Sequence, residues 1–538
     1  MKKFLTIVLC VAGIATLSAK PAYPGPIKTT QADGSVITVY QHGDEYFHWT
    51  TNAKGEWIQL NDKGFYEQVP TLSDEEIALR RKASPRRAPQ ATQQASPINL
   101  APRGLMVLVN FQDVAFRDEN SLEEMQKMIN SDNYSHSYSY DYEGQHYDVV
   151  AKGSARQYFI DQSKELYKPQ FDVVGPFTVS QEMAYYGKNR TSQQGTDQHP
   201  EQMVKEACQL AHDAGVDFSQ YDTDNDGKVD FVYVVYAGYG EADGGGANTI
   251  WPHSYHLSYA GINLKLDNKR VDLYACGSEL SYITNHRDGI GTFCHEFGHV
   301  LGLPDIYETS YTNNWKTSGS WDIMDAGCYN NDGNTPAGYT GYERLFFGWA
   351  TPRLLNTEGE VSISDLQTNN DVCVITEDGT FNNVGNDPSP STFYVLENRQ
   401  QTKWDEYLPG HGLTITKVMY SFNRWSQNYV NDEEPLGVDL IEADGQAPHY
   451  VQGENNGFNG KPGDCFPEGA TEYSGIPNFA VTDISESAGI IRFKLQQGQG
   501  IEQLVAPQDD TTCKVIYNGQ VVIMRDGNKY SILGNRLD

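Results

Sequence analysis

One short segment combines residue types that bind a metal ion with one that can move a proton. His295, Glu296 and His299 form the pattern H-E-x-x-H. Because residues four apart on a helix lie on one face, one turn apart, both imidazoles can reach a single ion. Glu296 lies beside them, where its carboxylate can take a proton from a water on that ion. The segment therefore predicts a catalytic zinc site on a helix, with Glu296 as the general base.

The residues that follow supply a third ligand. Gly302 stands where a helix can end in a left-handed turn, and Pro304 prevents the helix from continuing. The turn brings Asp305 back toward the metal, and the spacing H-E-x-x-H-x-x-G-x-x-D matches the metzincin pattern with aspartate as the third ligand. Three protein ligands, His295, His299 and Asp305, leave a fourth position open for water, as in catalytic zinc sites.

Two further residues are expected near this site. Met324 follows in a segment that fits a methionine turn, and it should pack beneath the two histidines much as an ordinary core methionine would. Tyr342, beyond this turn, is a candidate for holding the oxyanion, although the chain contains 34 tyrosines. Zinc would lower the pKa of its water to about 7 and polarise the scissile carbonyl. Glu296 would then pass the proton to the leaving amine.

A second cluster of ligands lies upstream. The segment 222–230 has aspartate at alternate positions and glycine at its sixth position, as in the first nine positions of an EF-hand loop. Tyr233 stands where an EF-hand has its bidentate glutamate, and a strand is predicted where a helix would be needed. We therefore predict a structural calcium loop without an EF-hand, and a solvated acidic turn is the alternative. The expected ligands are the side chains of Asp222, Asp224, Asp226 and Asp230 and the carbonyl of Lys228.

Composition and the N-terminus indicate export. The net charge of −31 and the pI of about 4.7 argue against nucleic acid and anionic membranes as partners. Residues 1–19 have a basic start, an apolar stretch and a small-residue exit, which predicts a signal peptide rather than a buried helix. No later run reaches about 18 apolar residues, so no transmembrane segment is predicted. The expected location is secreted, extracellular or associated with the cell surface.

The cysteines do not predict a scaffold. Seven remain beyond residue 19, an odd number spread thinly and without C-x-x-C spacing. This distribution argues against a disulfide framework and against a cysteine zinc site. One or two disulfides remain open, because the sequence alone cannot pair them.

Changes in composition divide the mature chain into four parts. Residues 20–102 contain short strands and then a basic, proline-bearing linker that begins at Arg80. They are interpreted as a pro-segment removable by proteolytic nicking, with a permanent β-domain as the alternative. Residues 103–350 predict an α/β (α+β) metzincin-like zinc peptidase domain, residues 351–497 an all-β, sandwich-like domain, and residues 498–538 a short β tail similar to export or sorting modules.

The α/β assignment rests on buried strands that alternate with helices. The runs 105–111 and 231–236 are continuously apolar, as in strands buried on both faces. Helical patterns lie near 121–130, 154–162 and 199–213. After about residue 350 the helical patterns disappear and short alternating runs take over.

Most of residues 104–496 resemble the immune inhibitor A family of secreted metalloproteases. Beside the two metal motifs, the resemblance rests on the segments G-S-A-R-Q-Y at 153–158, A-G-Y-G-E at 237–241, I-W-P-H at 250–253, G-W at 348–349, L-E-N-R-Q at 396–400 and L-P-G-H-G-L at 408–413. The resemblance implies a propeptide-controlled endopeptidase that processes extracellular proteins. It also implies zinc on His295, His299 and Asp305, catalysis by Glu296, and calcium for stability.

The expected partners are protein or peptide substrates and the chain's own pro-segment as an intramolecular inhibitor. The pro-segment contains no cysteine, so latency cannot use a thiolate on zinc. We predict instead that Asp44, or a neighbour within residues 42–48, caps the metal. Two other function classes stay open: a zinc hydrolase acting on another amide, and a binding or adhesive protein with a degenerate site. The intact H-E-x-x-H argues against the second.

Overall fold

A computed structural model describes residues 19–83, 101–190, 197–310, 318–446 and 460–497, except 62, 143, 385 and 386, and the strands between 512 and 537. The predicted signal residues 1–18 and the linker residues 84–100 lie outside the described residues. Within the described residues, no helix is both long enough and apolar enough to cross a membrane.

The first described part is a small antiparallel sheet. Its strands pair in chain order and are β1 (Ile27–Thr30), β2 (Val36–Gly43), β3 (His48–Asn52), β4 (Trp57–Leu60) and β5 (Tyr66–Gln68). Helix α1 (Asp74–Ala83) follows, and Ser73 and Glu76 cap its start by exchanging hydrogen bonds. The predicted linker therefore begins too early, because its first basic residues still belong to a helix that stops before Pro85.

A mixed sheet forms the centre of the next part. The strands of this part are β6 (Arg103–Asn110), β7 (Ser135–Tyr142), β8 (Gln145–Lys152), β9 (Gln170–Thr178), β10 (Val232–Tyr239), β11 (His253–His256), β12 (Leu264–Leu266), β13 (Lys269–Val271) and β14 (Leu273–Leu280). The central order is β11-β14-β10-β6-β9, in which β11 alone runs antiparallel. The strands β6 and β10 are apolar and buried because helices cover both faces of this sheet.

The helices of this part are α2 (Ser121–Asn130), α3 (Ala155–Gln162), α4 (Met183–Gly187), α5 (Pro200–Asp213), α6 (Gly291–Val300) and α7 (Gly341–Phe346). The three predicted helical patterns are found as α2, α3 and α5. One apolar core joins α2, α3 and α6 to one face of the sheet, and a second core joins α5 to the other face. Helix α6 is buried from Gly291 to His299, so the predicted metal motif lies inside the molecule.

Two packed sheets follow. Their elements are β15 (Arg353–Leu354), β16 (Gly359–Ile363), α8 (Leu366–Asn369), β17 (Val372–Ile375), β18 (Asn382–Val384), β19 (Asp387–Ser389), β20 (Thr392–Arg399), β21 (Gly412–Met419), α9 (Phe422–Ser426), β22 (Val438–Leu440), β23 (Phe479–Ser487) and β24 (Ile490–Gln497). The sheets β15-β17-β20-β21-β22 and β16-β24-β23 share one apolar core, as a sandwich does. The expectation that helices end near residue 350 misses α8 and α9, which are too short to show a helical period.

Among the described residues of the tail there are four antiparallel strands in chain order: β25 (Thr512–Tyr517), β26 (Gln520–Arg525), β27 (Asn528–Tyr530) and β28 (Arg536–Leu537). The sequence predicted two or three. The six cysteines whose side chains are described are all buried, free thiols: Cys208, Cys276, Cys294, Cys328, Cys373 and Cys465.

One buried arginine joins the sandwich to the mixed-sheet part. Arg399, at the end of β20, pairs with Asp405 through an Nε–Oδ2 distance of 2.7 Å and with Glu397 through 3.2 Å. Its guanidinium also donates to the carbonyls of Trp321 and Gly338. The buried ion pairs of Arg399 lie within the sandwich part, and its hydrogen bonds to the two carbonyls join the sandwich to the mixed-sheet part.

Candidate metal centre and active-site cleft

The metal motif lies on α6 and the turn that ends it. Gly302 has φ +101°, and the backbone N–H of Leu303 donates to the carbonyl of Gly298 across the end of the helix. Only glycine adopts this backbone conformation without steric cost, so the predicted left-handed turn is confirmed. The turn reverses the chain and returns Asp305 to the face that carries the two histidines.

The three predicted ligand atoms form a nearly equilateral triangle. The Nε2 atoms of His295 and His299 are 3.2 Å apart, and Asp305 Oδ1 lies 3.3 and 3.2 Å from them. An ion bound to all three atoms with tetrahedral ligand–ion–ligand angles would lie about 2.0 Å from each of them. This is the usual zinc–nitrogen and zinc–oxygen distance in proteins. Asp305 Oδ1 is buried and has no hydrogen-bond partner. The residues present therefore fit zinc.

Backbone carbonyls fix both imidazoles. His295 Nδ1 lies 2.7 Å from the carbonyl of Ile323, and His299 Nδ1 lies 2.8 Å from that of Leu303. A carbonyl only accepts, so each Nδ1 must carry the proton and each Nε2 presents its lone pair to the ion. The two rings are thereby held in the tautomer that a metal requires.

Two more residues support the centre, and sequence reasoning found one of them. A Cβ on Gly298 would lie 2.6 Å from Met324 Sδ, so the methionine packs directly beneath the helix, as expected. Asn428, which follows α9, donates from Nδ2 to Asp305 Oδ2 over 2.5 Å and accepts from Asp305 N over 2.7 Å. No sequence signal marks Asn428, because it lies 123 residues from its partner.

The N-terminal segment crosses the cleft beside Glu296. The backbone N–H of Lys20 donates to Glu296 Oε1 over 2.9 Å, and Glu296 Oε2 has no hydrogen-bond partner. Burial raises the pKa of Glu296 to about 8. The carbonyl of Ala19 accepts from Tyr307 Oη over 2.7 Å. Residues 19 and 20 therefore lie on the two groups best placed to contact a peptide bond.

Tyr307, not Tyr342, is the tyrosine that contacts this peptide carbonyl. Tyr342 Oη accepts from Trp425 Nε1 over 2.7 Å, and its ring belongs to the apolar core. Tyr307 lies two residues after Asp305, and this proximity is the only sequence signal for it.

The cluster predicted to cap the metal contains two carboxylates, Asp44 and Glu45, in different environments. Asp44 Oδ1 accepts from the backbone N–H groups of Tyr46 and Phe47 and so stabilises the turn between β2 and β3. Glu45 is buried, and neither of its carboxylate oxygens has a hydrogen-bond partner. Burial, together with the charges of Asp44, Asp305 and Glu296, raises the pKa of Glu45 well above its usual value.

The predicted calcium loop brings three of its carboxylates together. Ligand oxygens of Asp222, Asp224 and Asp226 lie within 4.8 Å of one another. Asp222 is buried, and its Oδ2 pairs with Lys269 Nζ while its Oδ1 has no hydrogen-bond partner. The fourth predicted carboxylate, Asp230, accepts hydrogen bonds from the N–H and hydroxyl of Thr223 instead.

Lys228, at the seventh position of the loop, contacts Asp226 through both its backbone and its side chain. The backbone N–H of Lys228 donates to Asp226 Oδ1, and its ammonium pairs with Asp226 Oδ2 over 3.0 Å. Asn225 and Gly227 have φ of 63° and 89°, which fold the loop back on itself. Lys228 and Lys269 neutralise part of the charge that the aspartates bring to this loop.

Comparison with known proteins identifies the peptidase part. A buried H-E-x-x-H helix with a third carboxylate ligand defines a metallopeptidase centre. Residues 99–350 match the immune inhibitor A peptidase M6 catalytic domain, so this part of the chain is similar to the metallopeptidases of that family.

Two relatives extend this comparison. The chain is 28% identical over 299 residues to the pre-pro-metalloprotease PrtV of Vibrio cholerae serotype O1, covering 49% of this chain and 31% of the relative. It is 28% identical over 249 residues to immune inhibitor A of Bacillus thuringiensis subsp. alesti, covering 39% of this chain and 36% of the relative. The chain thus spans about a third of the length of these curated relatives.

Proposed function

We propose that this chain is a secreted zinc-dependent endopeptidase that hydrolyses peptide bonds of extracellular proteins and is made as a latent precursor. The observation that carries the proposal is the triangle of His295, His299 and Asp305 with Glu296 beside it. The two relatives, whose names describe a metalloprotease and an immune inhibitor, support the same activity.

The chain's own residues divide the chemistry. When bound, zinc supplies Lewis-acid polarisation of the scissile carbonyl and lowers the pKa of a ligand water. Glu296 takes the proton of the attacking water and delivers it to the leaving nitrogen, the position that Lys20 N occupies. Tyr307 donates its hydroxyl to the carbonyl oxygen, as it does to Ala19. Burial of α6 keeps bulk water from the reacting groups.

The arrangement of the domain supports a metzincin-like layout. One antiparallel strand, β11, edges an otherwise parallel sheet, and α6 packs against β11 and β14. The chain then turns at Gly302, supplies its third ligand and passes Met324 beneath the helix. This order of parts agrees with the spacing in the sequence.

We attribute latency to the segment 20–48, the start of the predicted pro-segment. The backbone N–H of Lys20 donates to Glu296 Oε1, the oxygen that would otherwise accept the proton of the attacking water. A buried salt bridge of 3.0 Å between His48 Nε2 and Glu241 Oε1 connects β3 to the peptidase part. Within the cluster predicted to cap the metal, Glu45 replaces Asp44 as our candidate ligand. Its oxygens are buried and unpartnered, whereas those of Asp44 serve the turn.

The latency proposal is tested with the full precursor. Glu45→Gln should hydrolyse casein before any nicking, because the amide is a far weaker zinc ligand than the carboxylate. Glu67→Gln, on an exposed position of the same sheet, is the matched control and should stay as latent as wild type. Unchanged latency of Glu45→Gln would remove Glu45 from the mechanism.

We further propose that calcium binds the loop 222–230 and stabilises the entry to β10. Support comes from the three converging carboxylates and the unpartnered Asp222 Oδ1. The Lys228 carbonyl and Asp230 complete the proposed set of ligands. To bind the ion, the carboxylate of Asp230 would have to give up its hydrogen bonds with Thr223. Without a cation the remaining charge repels itself, so calcium should raise the stability of this region.

The peptidase proposal is tested by casein hydrolysis with the full chain after limited nicking in the basic stretch. Glu296→Ala and a zinc chelator are the two controls. We expect the wild type to cut casein and both controls to be silent. A zinc-loaded and calcium-loaded wild type that leaves unfolded substrates intact would contradict the proposal.

A further inference from the structure

Lys20 fills a pocket that belongs to the peptidase part. Its side chain is buried, and its ammonium donates to Thr292 Oγ1 over 2.9 Å. The same ammonium lies 4.8 Å from the ring centre of Tyr329, as in a cation–π contact. Thr292 is one helical turn before Glu296, so the pocket opens directly beside the catalytic carboxylate.

The floor of this pocket is acidic. Thr292 Oγ1 donates a hydrogen bond to Asp288 Oδ2 over 2.8 Å, which leaves its lone pairs for an incoming ammonium. Asp243 is buried, with Oδ2 held by the N–H of Tyr282 and Oδ1 without a hydrogen-bond partner. Burial by itself lowers the pKa of Lys20, but Asp288 and Asp243 outweigh it, and the net shift is upward. The pocket therefore holds the charged form of lysine.

The backbone of Lys20 lies in the register of a substrate. Its N–H contacts Glu296, which delivers the proton to the leaving nitrogen. The carbonyl before it accepts from Tyr307, and its own carbonyl accepts from Trp251 Nε1 over 3.1 Å. Tyr329 Oη donates to the next carbonyl, that of Pro21, over 2.7 Å. A peptide bound in this way has its scissile bond immediately before the residue in the pocket.

We propose that the pocket formed by Thr292, Tyr329, Asp288 and Asp243 selects lysine on the carboxyl side of the scissile bond. The inference rests on the peptidase function proposed above and adds its substrate class, which is a lysine-bearing protein segment. In the reaction, the water oxygen joins the carbonyl carbon of the preceding residue. The bond to the lysine nitrogen breaks, and this nitrogen receives the proton.

Two acidic residues explain why lysine is preferred over an apolar residue of similar length. An uncharged side chain would leave the charges of Asp288 and Asp243 without the ammonium that balances them and would remove the donor to Thr292 Oγ1, which is a basis for rejection. The pro-segment would then inhibit by presenting the side chain that the enzyme prefers in its substrates.

The test uses the full chain after limited trypsin nicking and addition of a trypsin inhibitor. Cut sites in unfolded casein are mapped by mass spectrometry, and Glu296→Gln treated in parallel gives the background. Residual trypsin cuts after lysine, whereas the proposal places the cuts before it. Two matched peptides that differ only in lysine or leucine after the cut then give the ratio of their kcat/KM values.

We expect the wild type to favour lysine by at least about tenfold, and Asp243→Asn and Asp288→Asn each to reduce that ratio by about tenfold. Asp243→Asn keeps the acceptor for Tyr282 N and removes only the charge, and its melting temperature and zinc content show whether it is folded. Casein cut without preference for lysine overturns this inference alone. Casein left intact by the wild type overturns both it and the peptidase function.

Discussion

Asn428 gives the sharpest test of how the sandwich supports the metal centre. Its amide makes two hydrogen bonds to Asp305, of 2.5 and 2.7 Å, and Asn428→Ala removes both. Loss of such a supporting residue typically weakens metal binding by about 10–100-fold, or about 1.4–2.8 kcal/mol. That range agrees with about 1.5–3 kcal/mol for one hydrogen bond to a charged group. We therefore expect the zinc Kd of the full chain to rise by about 10–100-fold.

The backbone at this position requires a control. Asn428 has φ 53°, so alanine there adds strain of about 1–2 kcal/mol, which acts on folding rather than on zinc. Asn428→Gly removes the same hydrogen bonds without that strain, and Asn133→Ala introduces the same strain at an exposed turn with φ 59°. Zinc affinity is measured by competition with a chromogenic chelator. If Asn428→Gly binds zinc as tightly as wild type, the supporting role is refuted.

Three further predictions address other parts of the chain. Calcium at 100 times its Kd should stabilise the wild type by about 2.7 kcal/mol, and Asp226→Asn should lose most of this gain in thermal unfolding. Arg399→Met leaves Asp405 buried without its cation, so urea unfolding should show a loss of about 3–5 kcal/mol, and a loss below 1 kcal/mol would contradict the network. Burial lowers the pKa of His48, but Glu241 more than compensates, so the net pKa lies above the ordinary 6.5. The stability that this pair gives the precursor is therefore complete below pH 6.5 and is lost as the pH rises through the raised pKa. His48→Gln should flatten that dependence in melting curves, and an unchanged curve would contradict it.

The zinc ligands could be predicted because they are local. His295, His299 and Asp305 come from one helix and the turn that ends it, so spacing alone defines their geometry. Helices α2, α3 and α5 were predicted for a similar reason, since each has a polar and an apolar face. The last residues of helix α1, from Arg80, were predicted to be a linker because their basic composition hides the end of a capped, proline-free helix.

The rest of the site depends on contacts between distant segments. Asn428 reaches Asp305 across 123 residues, and Lys20 reaches Glu296 across 276. No periodicity reports which distant residues meet, so Tyr307 was missed and Tyr342 was named in its place. The cluster around Asp44 was found by its composition, but only the hydrogen bonds of the turn separate Asp44 from Glu45.

The central claim is that zinc on His295, His299 and Asp305 works with Glu296 to hydrolyse peptide bonds. The most direct measurement determines bound zinc and casein hydrolysis in the same nicked preparations of wild type, Glu296→Gln and Asp305→Ala. We predict one zinc per chain in wild type and Glu296→Gln, hydrolysis by the wild type alone, and loss of zinc from Asp305→Ala. Hydrolysis by Glu296→Gln, or zinc held by Asp305→Ala as firmly as by wild type, would contradict the account.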